Sequence, residues 1–351
     1  MIEELVARGE IGGRTVQIVG SGEAECVTYP VPRPGSGQVL VRSRLTAISP
    51  GTEMTLYGRA ATNVYLHRRR DSELRLYRAG AATLEYPVTF GYRASGEVVE
   101  SGKDGPAPGT RVWGSWRHTE YTLGDASLAG CLLPAALSHA DGVDLGQMGP
   151  ICVNAVAFAE DRLAGAPVIV FGGGVIGLIT AQVARAGGAA EVHVVDRLPG
   201  RLVTAANLGF PTIEASAEAD VAYELKRALG AEAVPVAFEC SGSTFALQQA
   251  IRSVRRRGQV VAVGFYQGEA HGLLLGDEFH HNGVQVCSAQ IGNVHPAWDL
   301  AGLRRRTLEL ALGGELVLGG LPRLSLPVER VAEGFDALLR PADVLQVALA
   351  Y

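Results

Sequence analysis

The spacing of hydrophobic residues changes near residue 140. Before that point apolar positions alternate with polar ones in short runs, as in strands with one buried face. The stretch 14–32 predicts a pair of strands, 37–51 predicts a third that ends in a Ser-Pro-Gly turn, and 86–124 predicts several more, separated by glycines. The first part of the chain is therefore predicted to be a small β barrel.

An arginine-rich segment interrupts these strands between residues 59 and 85. Its sequence from 73 to 86, ELRLYRAGAATLEY, predicts a helix or a loop. Two interpretations stay open: the segment covers a cleft and meets an acidic or phosphorylated substrate, or it is a solvated helix. The arginines concerned are Arg59, Arg68, Arg69, Arg70, Arg75 and Arg78.

From about residue 140 onward, helical and apolar stretches alternate. A long helical stretch at 144–165 precedes the apolar run PVIVFGG (167–173), a helical pattern at 177–188 and a second apolar run at 190–196. Such runs suit strands buried on both faces, so the alternation predicts a doubly wound parallel sheet. The last residues, 341–351, predict a strand that returns to the first domain.

Three glycines between the first apolar run and the next helix form the pattern G-x-G-x-x-G, at Gly172, Gly174 and Gly177. The first allows a tight turn, the second lets the backbone approach a pyrophosphate, and the third lets the helix pack closely on the strand. The helix N-terminus, at Val175 and Ile176, directs N–H groups and a partial positive charge toward phosphates. The sequence therefore predicts a dinucleotide site.

The next strand ends at Asp196. A carboxylate there accepts hydrogen bonds from ribose hydroxyls and repels a 2′-phosphate, which favours NAD over NADP. Arg197 and Arg201 keep NADP open, because either one can meet a 2′-phosphate.

The composition limits the expected partners and compartment. Of the 351 residues 47% are hydrophobic, and the net charge of −5 argues against nucleic acid or an anionic membrane as a partner. No apolar run reaches the length of a membrane span, and the start MIEELVARGE lacks a signal-peptide layout. The five scattered cysteines are expected to be reduced, which favours a cytoplasmic protein.

Several local motifs are similar to those of the medium-chain dehydrogenase/reductase superfamily: GTRVWG, the glycine pattern, PGTE at 50–53, FGYRASGEV at 90–98, HTEY at 118–121 and ECSGS at 239–243. The chain most resembles the zinc-free relatives of threonine and sorbitol dehydrogenases, including the bacteriochlorophyllide dehydrogenase group. This resemblance implies an α/β fold with a GroES-like β-barrel catalytic domain and a Rossmann domain. The implied boundaries are 1–148 for the catalytic domain, 149–292 for the Rossmann domain and 293–351 for the return to the catalytic domain.

Other residues occupy the positions at which zinc members of the superfamily hold their metal. Pro50 lies nearest the first cysteine position, Tyr92 lies where a histidine is expected, and counting back from the glycine pattern places Gln147 at the third. Cys152 follows a few residues later. A catalytic zinc needs three protein ligands, and the four-cysteine cluster of a structural zinc is missing from the sequence. We therefore expect no zinc.

Without zinc, another group must polarise the substrate oxygen and move its proton. By resemblance, Thr52 matches the residue that relays the proton of the substrate alcohol, and Glu53 matches the acidic residue after it. Tyr92 can donate a hydrogen bond to a carbonyl or accept an alcohol proton, and Arg93 is expected to lower its pKa. The alternative is that Tyr92 only fills the space of the missing metal.

Further candidates lie near the predicted cofactor loops. His295 is a candidate substrate contact and the first alternative for the proton route, and Asn154 is a candidate contact of the nicotinamide. By resemblance, the main chain around Phe265, Gln290 and Ile291 matches positions that hold the carboxamide of nicotinamide.

Together these features predict a zinc-independent, NAD(H)-dependent oxidoreductase that interconverts a secondary alcohol and a ketone, such as a sugar, a cyclitol or another specialised metabolite. Two alternatives stay open: an NADPH-dependent quinone or enoyl reductase, and a nucleotide-binding protein without catalytic activity. The stretch 284–291, VQVCSAQI, predicts the last strand of the parallel sheet. In the superfamily this edge pairs with its symmetry mate, so a homodimer or homotetramer is expected.

Overall fold

The computed structural model describes residues 12–58, 60–102, 105–125, 131–216, 220–340 and 344–351. The chain divides into two compact units. The first unit runs to Gln147 and resumes at Pro322, and the second comprises Met148–Leu321. The first is rich in antiparallel strands and the second contains a parallel sheet, which confirms the predicted fold class.

The described strands are β1 (Gly12–Gly20), β2 (Glu23–Pro30), β3 (Gln38–Ile48), β4 (Arg68–Asp71), β5 (Leu76–Ala79), β6 (Ala94–Ser101), β7 (Arg111–Gly114), β8 (Tyr121–Asp125), β9 (Pro167–Phe171), β10 (Glu191–Asp196), β11 (Thr212–Glu214), β12 (Val236–Glu239), β13 (Gln259–Ala262), β14 (Gln285–Ser288), β15 (Leu324–Pro327) and β16 (Val347–Ala350). The described α-helices are Thr52–Tyr57, Val64–His67, His139–Leu145, Met148–Ala157, Val175–Ala186, Pro199–Asn207, Val221–Leu229, Thr244–Ser253, His280–Asn282, Leu300–Leu312 and Val331–Leu339. Short 3₁₀ turns occur at Ala60–Thr62, Glu160–Arg162 and Val328–Arg330, and a π turn at Leu275–Phe279.

The central strand of the first unit is β3. Its sheet has the order β15-β16-β3-β6-β7, and β8 also pairs with β3. Strand β16 lies antiparallel to β3, so the last residues return to the first unit as expected. The hydrophobic core beside them includes Ile48, Leu56, Phe335 and Val347, all completely buried. This core holds the turn between β3 and the helix Thr52–Tyr57.

The arginine-rich segment contains an antiparallel hairpin of β4 and β5. The prediction of a helix or loop is therefore wrong for Leu76–Ala79, whereas residues 80–86 form a loop. The turn is closed by Asp71, whose Oδ1 accepts hydrogen bonds from the N–H groups of Glu73 and Leu74. Arg75 has a φ of 56°, a value that favours glycine. No glycine therefore marks the hairpin turn in the sequence.

The sheet of the second unit is parallel, with the order β11-β10-β9-β12-β13-β14. Chain order reverses between β9 and β12. In doubly wound sheets, ligands bind at the carboxyl ends of the strands at this point. Strand β14 forms one edge of the sheet, and the homodimer expected from that edge stays a prediction.

The second unit extends past residue 292, where the sequence placed its end. The helix Leu300–Leu312 packs on the helix Met148–Ala157 and remains with this unit. Gly149 allows the close approach, because a Cβ atom there would lie 2.1 Å from Cγ2 of Thr307. A packing contact between distant helices therefore decides the boundary.

Candidate active site

Two stretches of the first unit bring hydroxyl groups together. One is the turn from Ser49 to Thr52 between β3 and the following helix, and the other is Tyr92, just before β6. The Oη of Tyr92 lies 2.5 Å from Oγ of Ser49 and 3.3 Å from Oγ1 of Thr52. The structure therefore brings Thr52 and Tyr92 together and adds Ser49, which the sequence did not single out.

Gly91 allows Tyr92 to take this position. Its φ is 131°, and a Cβ atom there would lie 2.6 Å from the backbone nitrogen of His118. A side chain at residue 91 would therefore push the two backbones apart.

Tyr92 is half-buried, and the burial of its hydroxyl raises its pKa above the ordinary value. The negative charge of Glu53 raises the pKa further, whereas the hydrogen bonds to Ser49 and Thr52 lower it. Arg93 also lowers the pKa of Tyr92, as expected, but its effect is the smallest of these. The net effect of these groups raises the pKa, so Tyr92 is held as a protonated phenol.

The weak effect of Arg93 follows from its partners. Its guanidinium is completely buried and donates from Nε and Nη2 to Oδ1 of Asp144, at 3.0 and 2.6 Å. Further hydrogen bonds go to Oε1 of Gln346 at 2.7 Å and to the carbonyl of Ile48 at 3.1 Å. Arg93 therefore ties β6 to other parts of the first unit.

Glu53 lies behind the hydroxyl cluster and is completely buried. Its Oε2 accepts a hydrogen bond from the backbone N–H of Ser49 at 2.7 Å. Its Oε1 lies 2.6 Å from Nε2 of His118. Sequence reasoning noted HTEY as a motif but missed His118 as a site residue, because no local spacing links it to the turn.

The glycine loop of the second unit has the geometry of a nucleotide site. Gly172 has a φ of 100°, and a Cβ atom on Gly177 would lie 1.6 Å from the carbonyl oxygen of Gly172. Gly174 is the N-cap of the helix that begins at Val175, next to Ile176. The loop therefore leaves helix N–H groups accessible to a pyrophosphate and fits a dinucleotide.

Asp196 ends β10 beside this loop. Its Oδ2 accepts a hydrogen bond from the N–H of Gly173 at 2.7 Å, and its Oδ1 accepts one from the N–H of Leu198 at 2.9 Å. Arg201 places Nη1 3.5 Å from Oδ2 of Asp196, whereas Arg197 is exposed. Asp196 thus places a negative charge next to the glycine loop and pairs with one of the two arginines that favoured NADP.

A loop after β14 contains two of the predicted cofactor contacts, Gln290 and Ile291. Asn154 fixes this loop, because its Oδ1 accepts a hydrogen bond from the N–H of His295 at 2.8 Å and its Nδ2 donates to the carbonyl of Ala289 at 3.3 Å. The His295 ring packs edge-on against Phe158, with ring centroids 4.9 Å apart. Both polar ends of Asn154 therefore support the loop.

A second buried carboxylate, Glu239, organises the ends of β12 and β13 and was also missed. It accepts hydrogen bonds from the N–H groups of Ser241 and Gly242, at 2.8 and 3.1 Å, and from the hydroxyl of Tyr266. A Cβ atom on Gly242 would lie 2.8 Å from the carbonyl oxygen of Phe265. Glu239 therefore positions the backbone at Phe265, a predicted cofactor contact.

The described ranges contain neither a helix suited to a membrane nor a cluster of side chains suited to a metal ion. Within those ranges, no helix has the length and hydropathy needed to cross a membrane. Across the same residues, His, Cys, Asp and Glu side chains nowhere gather in groups of three or more suited to a metal ion.

The doubly wound sheet, the glycine loop and the separate β-rich unit define a nucleotide-dependent dehydrogenase. Residues 175–302 match the family model described as zinc-binding dehydrogenase. The chain is 30% identical over 292 residues to (R,R)-butanediol dehydrogenase of Bacillus subtilis, covering 74% of this chain and 80% of the relative. It is 26% identical over 306 residues to D-guloside 3-dehydrogenase of Escherichia coli, covering 80% and 83%.

The fold agrees with these matches. The crystal structure of 2R,3R-butanediol dehydrogenase from Bacillus subtilis superimposes with a TM-score of 0.76 at 22% identity, over 97% of this chain and 99% of that one. The chain belongs to the zinc-binding dehydrogenase family of the medium-chain dehydrogenase/reductase superfamily. Its relatives are named as butanediol, guloside and sorbitol dehydrogenases, and the chain is, like them, an oxidoreductase acting on CH–OH groups.

Proposed function

We propose that this chain is a zinc-independent, NAD(H)-dependent dehydrogenase that interconverts a secondary alcohol and a ketone. The observation that carries the proposal is the position of the Tyr92 hydroxyl, 2.5 Å from Ser49 and 3.3 Å from Thr52. Hydroxyl groups of this kind can bind a substrate oxygen and exchange a proton with it.

Zinc independence is proposed from the chemistry of the side chains at the superfamily's ligand positions. Zinc takes thiolate, imidazole or carboxylate ligands in proteins. Pro50 offers no side-chain donor, Gln147 carries only an amide, and the Tyr92 hydroxyl is hydrogen-bonded within its own cluster. These residues do not fit a catalytic zinc, so the proposed reaction has no step through a metal.

The hydroxyl cluster supplies the substitute for the metal. Hydroxyl hydrogens rotate, so Tyr92 can turn its hydrogen from Ser49 to a substrate oxygen while Ser49 donates its own hydrogen to Tyr92. The N–H of Thr52 lies 3.3 Å from Oγ of Ser49 and holds that oxygen in place. In the reductive direction, Tyr92 polarises the carbonyl by a hydrogen bond and gives its proton to the oxygen that becomes the alcohol.

In the oxidative direction the same groups act in reverse. Thr52 and Tyr92 orient the alcohol by hydrogen bonds. Tyr92 accepts the alcohol proton as the carbonyl forms once the phenol has lost its own proton to water. Bound NAD(H) supplies or accepts the hydride. The raised pKa of Tyr92 suits the reductive role, because the phenol keeps its proton until it meets a substrate oxygen.

The first test is a turnover screen. Relatives of this chain are named as butanediol, sorbitol and guloside dehydrogenases, so the panel contains 2,3-butanediol, sorbitol and glycosides with NAD⁺, and the matching ketones with NADH. Absorbance of NADH follows the reaction. Turnover of at least one alcohol–ketone pair is expected, and inactivity across the panel would instead support a nucleotide-binding protein without catalysis.

NAD(H) is expected to bind at least about tenfold more tightly than NADP(H), because the Asp196 carboxylate repels a 2′-phosphate. Isothermal titration of both nucleotides measures the ratio of their dissociation constants. Asp196→Asn removes the charge and should narrow the ratio, whereas Glu191→Gln, at the exposed start of the same strand, should leave it unchanged. Tighter NADP(H) binding by the unaltered protein would contradict the preference and favour the quinone or enoyl reductase alternative.

The purified protein is expected to contain far less than one zinc per chain, and chelation should leave both fold and turnover intact. Elemental analysis, circular dichroism and the turnover assay with and without a chelator measure these quantities. A stoichiometric zinc whose removal abolishes turnover would disprove zinc independence and would require a ligand set other than Pro50, Tyr92 and Gln147.

A further inference from the structure

A buried imidazole–carboxylate pair lies directly behind the hydroxyl cluster. Glu53 and His118 are 0% and 1% exposed, and Nε2 of His118 lies 2.6 Å from Oε1 of Glu53. The backbone of His118 is fixed on both sides, because its N–H donates to the carbonyl of Phe90 and its carbonyl accepts from the N–H of Val16. The ring therefore has a fixed position.

Both ring nitrogens of His118 have partners. The Nδ1 atom lies 2.7 Å from Oγ1 of Thr46, which in turn lies 3.2 Å from the hydroxyl of Tyr351. A carboxylate oxygen accepts hydrogen bonds, so Nε2 of His118 donates to Oε1 of Glu53, and Nδ1 pairs with the hydroxyl of Thr46, which can donate or accept. These partners hold the imidazole in one orientation.

Glu53 connects this pair to the reacting group. Its second oxygen accepts the N–H of Ser49 at 2.7 Å, and the side chain of Ser49 is the nearest partner of the Tyr92 hydroxyl. A buried carboxylate is unfavourable unless it is paired and hydrogen-bonded. An apolar side chain at residue 118 would need no hydrogen-bond partners of its own. It would, however, remove the hydrogen bond from residue 118 to Glu53 and leave the buried carboxylate with one donor fewer.

We propose that His118 is a positioning residue for the reaction. Its hydrogen bond holds Glu53 against the backbone of Ser49. Glu53 in turn orients Ser49, the hydroxyl partner of Tyr92, and places its own negative charge near Tyr92. The inference rests on the proposed function of Tyr92. The charged groups that face Tyr92 are Glu53, from the helix Thr52–Tyr57, and Arg93, the next residue in the chain. Arg93 is paired with Asp144. Glu53 is the charged group near Tyr92 that contacts His118.

Paired variants of His118 test this role with the panel alcohol that turns over fastest. His118→Phe removes both hydrogen bonds and is expected to lower kcat by about 10- to 100-fold with KM within about threefold. His118→Gln should restore most of kcat, because its amide can donate to Glu53 and accept from Thr46. If the Phe variant does not fold, His118→Asn replaces it in the test, because its side chain is polar but too short to contact both Glu53 and Thr46. His139→Gln, a half-buried histidine outside the cluster, is the matched control and should keep normal kcat.

Coupling to Tyr92 separates a positioning role from a structural one. In a Tyr92→Phe background, His118→Phe should lower kcat by less than about threefold, because it acts through a hydroxyl that is already absent. An undiminished loss in that background, or normal kcat in His118→Phe alone, would overturn the inference while leaving the proposed function intact. Normal turnover by Tyr92→Phe would overturn both.

A spectroscopic measurement needs no turnover. The tyrosinate absorbance of Tyr92, obtained by subtracting the titration of Tyr92→Phe, reports the midpoint at which this phenol ionises. Glu53→Gln removes the like charge and should lower that midpoint by about one pH unit, whereas His139→Gln should not change it. An unchanged midpoint in Glu53→Gln would show that Glu53 does not act on Tyr92 and would overturn the inference even if no substrate of the panel reacts.

Discussion

Replacing Tyr92 with phenylalanine is expected to lower kcat by about 10²- to 10⁴-fold, the usual contribution of a positioned acid–base group. Only one hydroxyl is lost, so folding and NAD(H) affinity should change little. Steady-state kinetics, thermal melting and nucleotide titration measure these quantities. Tyr86→Phe is the matched control, since its hydroxyl donates to the carbonyl of Leu56 at 2.5 Å, outside the cluster.

Thr52→Val should also lower kcat, because it removes the threonine hydroxyl that lies 3.3 Å from the hydroxyl of Tyr92. The double variant should lose less than the product of the two single losses if both groups serve one substrate oxygen. Turnover that depends on the protonated phenol should persist up to the pH at which Tyr92 ionises, above the ordinary tyrosine value of about 10. Normal kcat in Tyr92→Phe would leave this tyrosine as a residue that only fills space, and His295 would be tested next.

The second large effect is expected on stability. Asp144→Ala removes the carboxylate that accepts two hydrogen bonds from the guanidinium of Arg93, and neither side chain is exposed. Breaking a buried ion pair leaves an unpaired buried charge and costs about 3–5 kcal/mol. Urea unfolding followed by circular dichroism should therefore show a midpoint at much lower urea.

The control for this prediction is an ion pair near the surface of the same unit. Arg44 pairs with Glu97 at 2.6 Å, and their side chains are 35% and 29% exposed. Glu97→Gln should lower the free energy of unfolding by less than about 1 kcal/mol, because water screens the pair. Equal losses in Asp144→Ala and Glu97→Gln would contradict the role assigned to the buried pair.

The nucleotide site could be predicted from the sequence because its signals are local. The glycines at 172, 174 and 177 lie within one strand–turn–helix unit. Backbone geometry requires two of them, because Gly172 has a φ of 100° and a Cβ on Gly177 would lie 1.6 Å from the carbonyl oxygen of Gly172. The parallel sheet was predictable for the same reason, since continuous apolar runs mark strands buried on both faces. The role of Asp196 could be predicted because this residue lies at the end of the next strand.

The hairpin at 68–79 and the end of the second unit could not be predicted in this way. Arg75 occupies a left-handed backbone position without a glycine to mark it, so the turn has no sequence signal. The helix Leu300–Leu312 belongs to the second unit only because it packs on a helix about 150 positions earlier in the chain. Periodicity identifies a helix but does not show which surface it covers.

By itself, the sequence determined the two-part α/β architecture, the dinucleotide loop and the missing zinc-type side chains at Pro50 and Tyr92. Only the tertiary structure decided which groups meet. It placed Tyr92 against Ser49, turned Arg93 into the core toward Asp144, and set His118 behind Glu53. These contacts join residues far apart in the chain, and side-chain directions across a folded barrel follow from packing and burial, which local patterns do not contain.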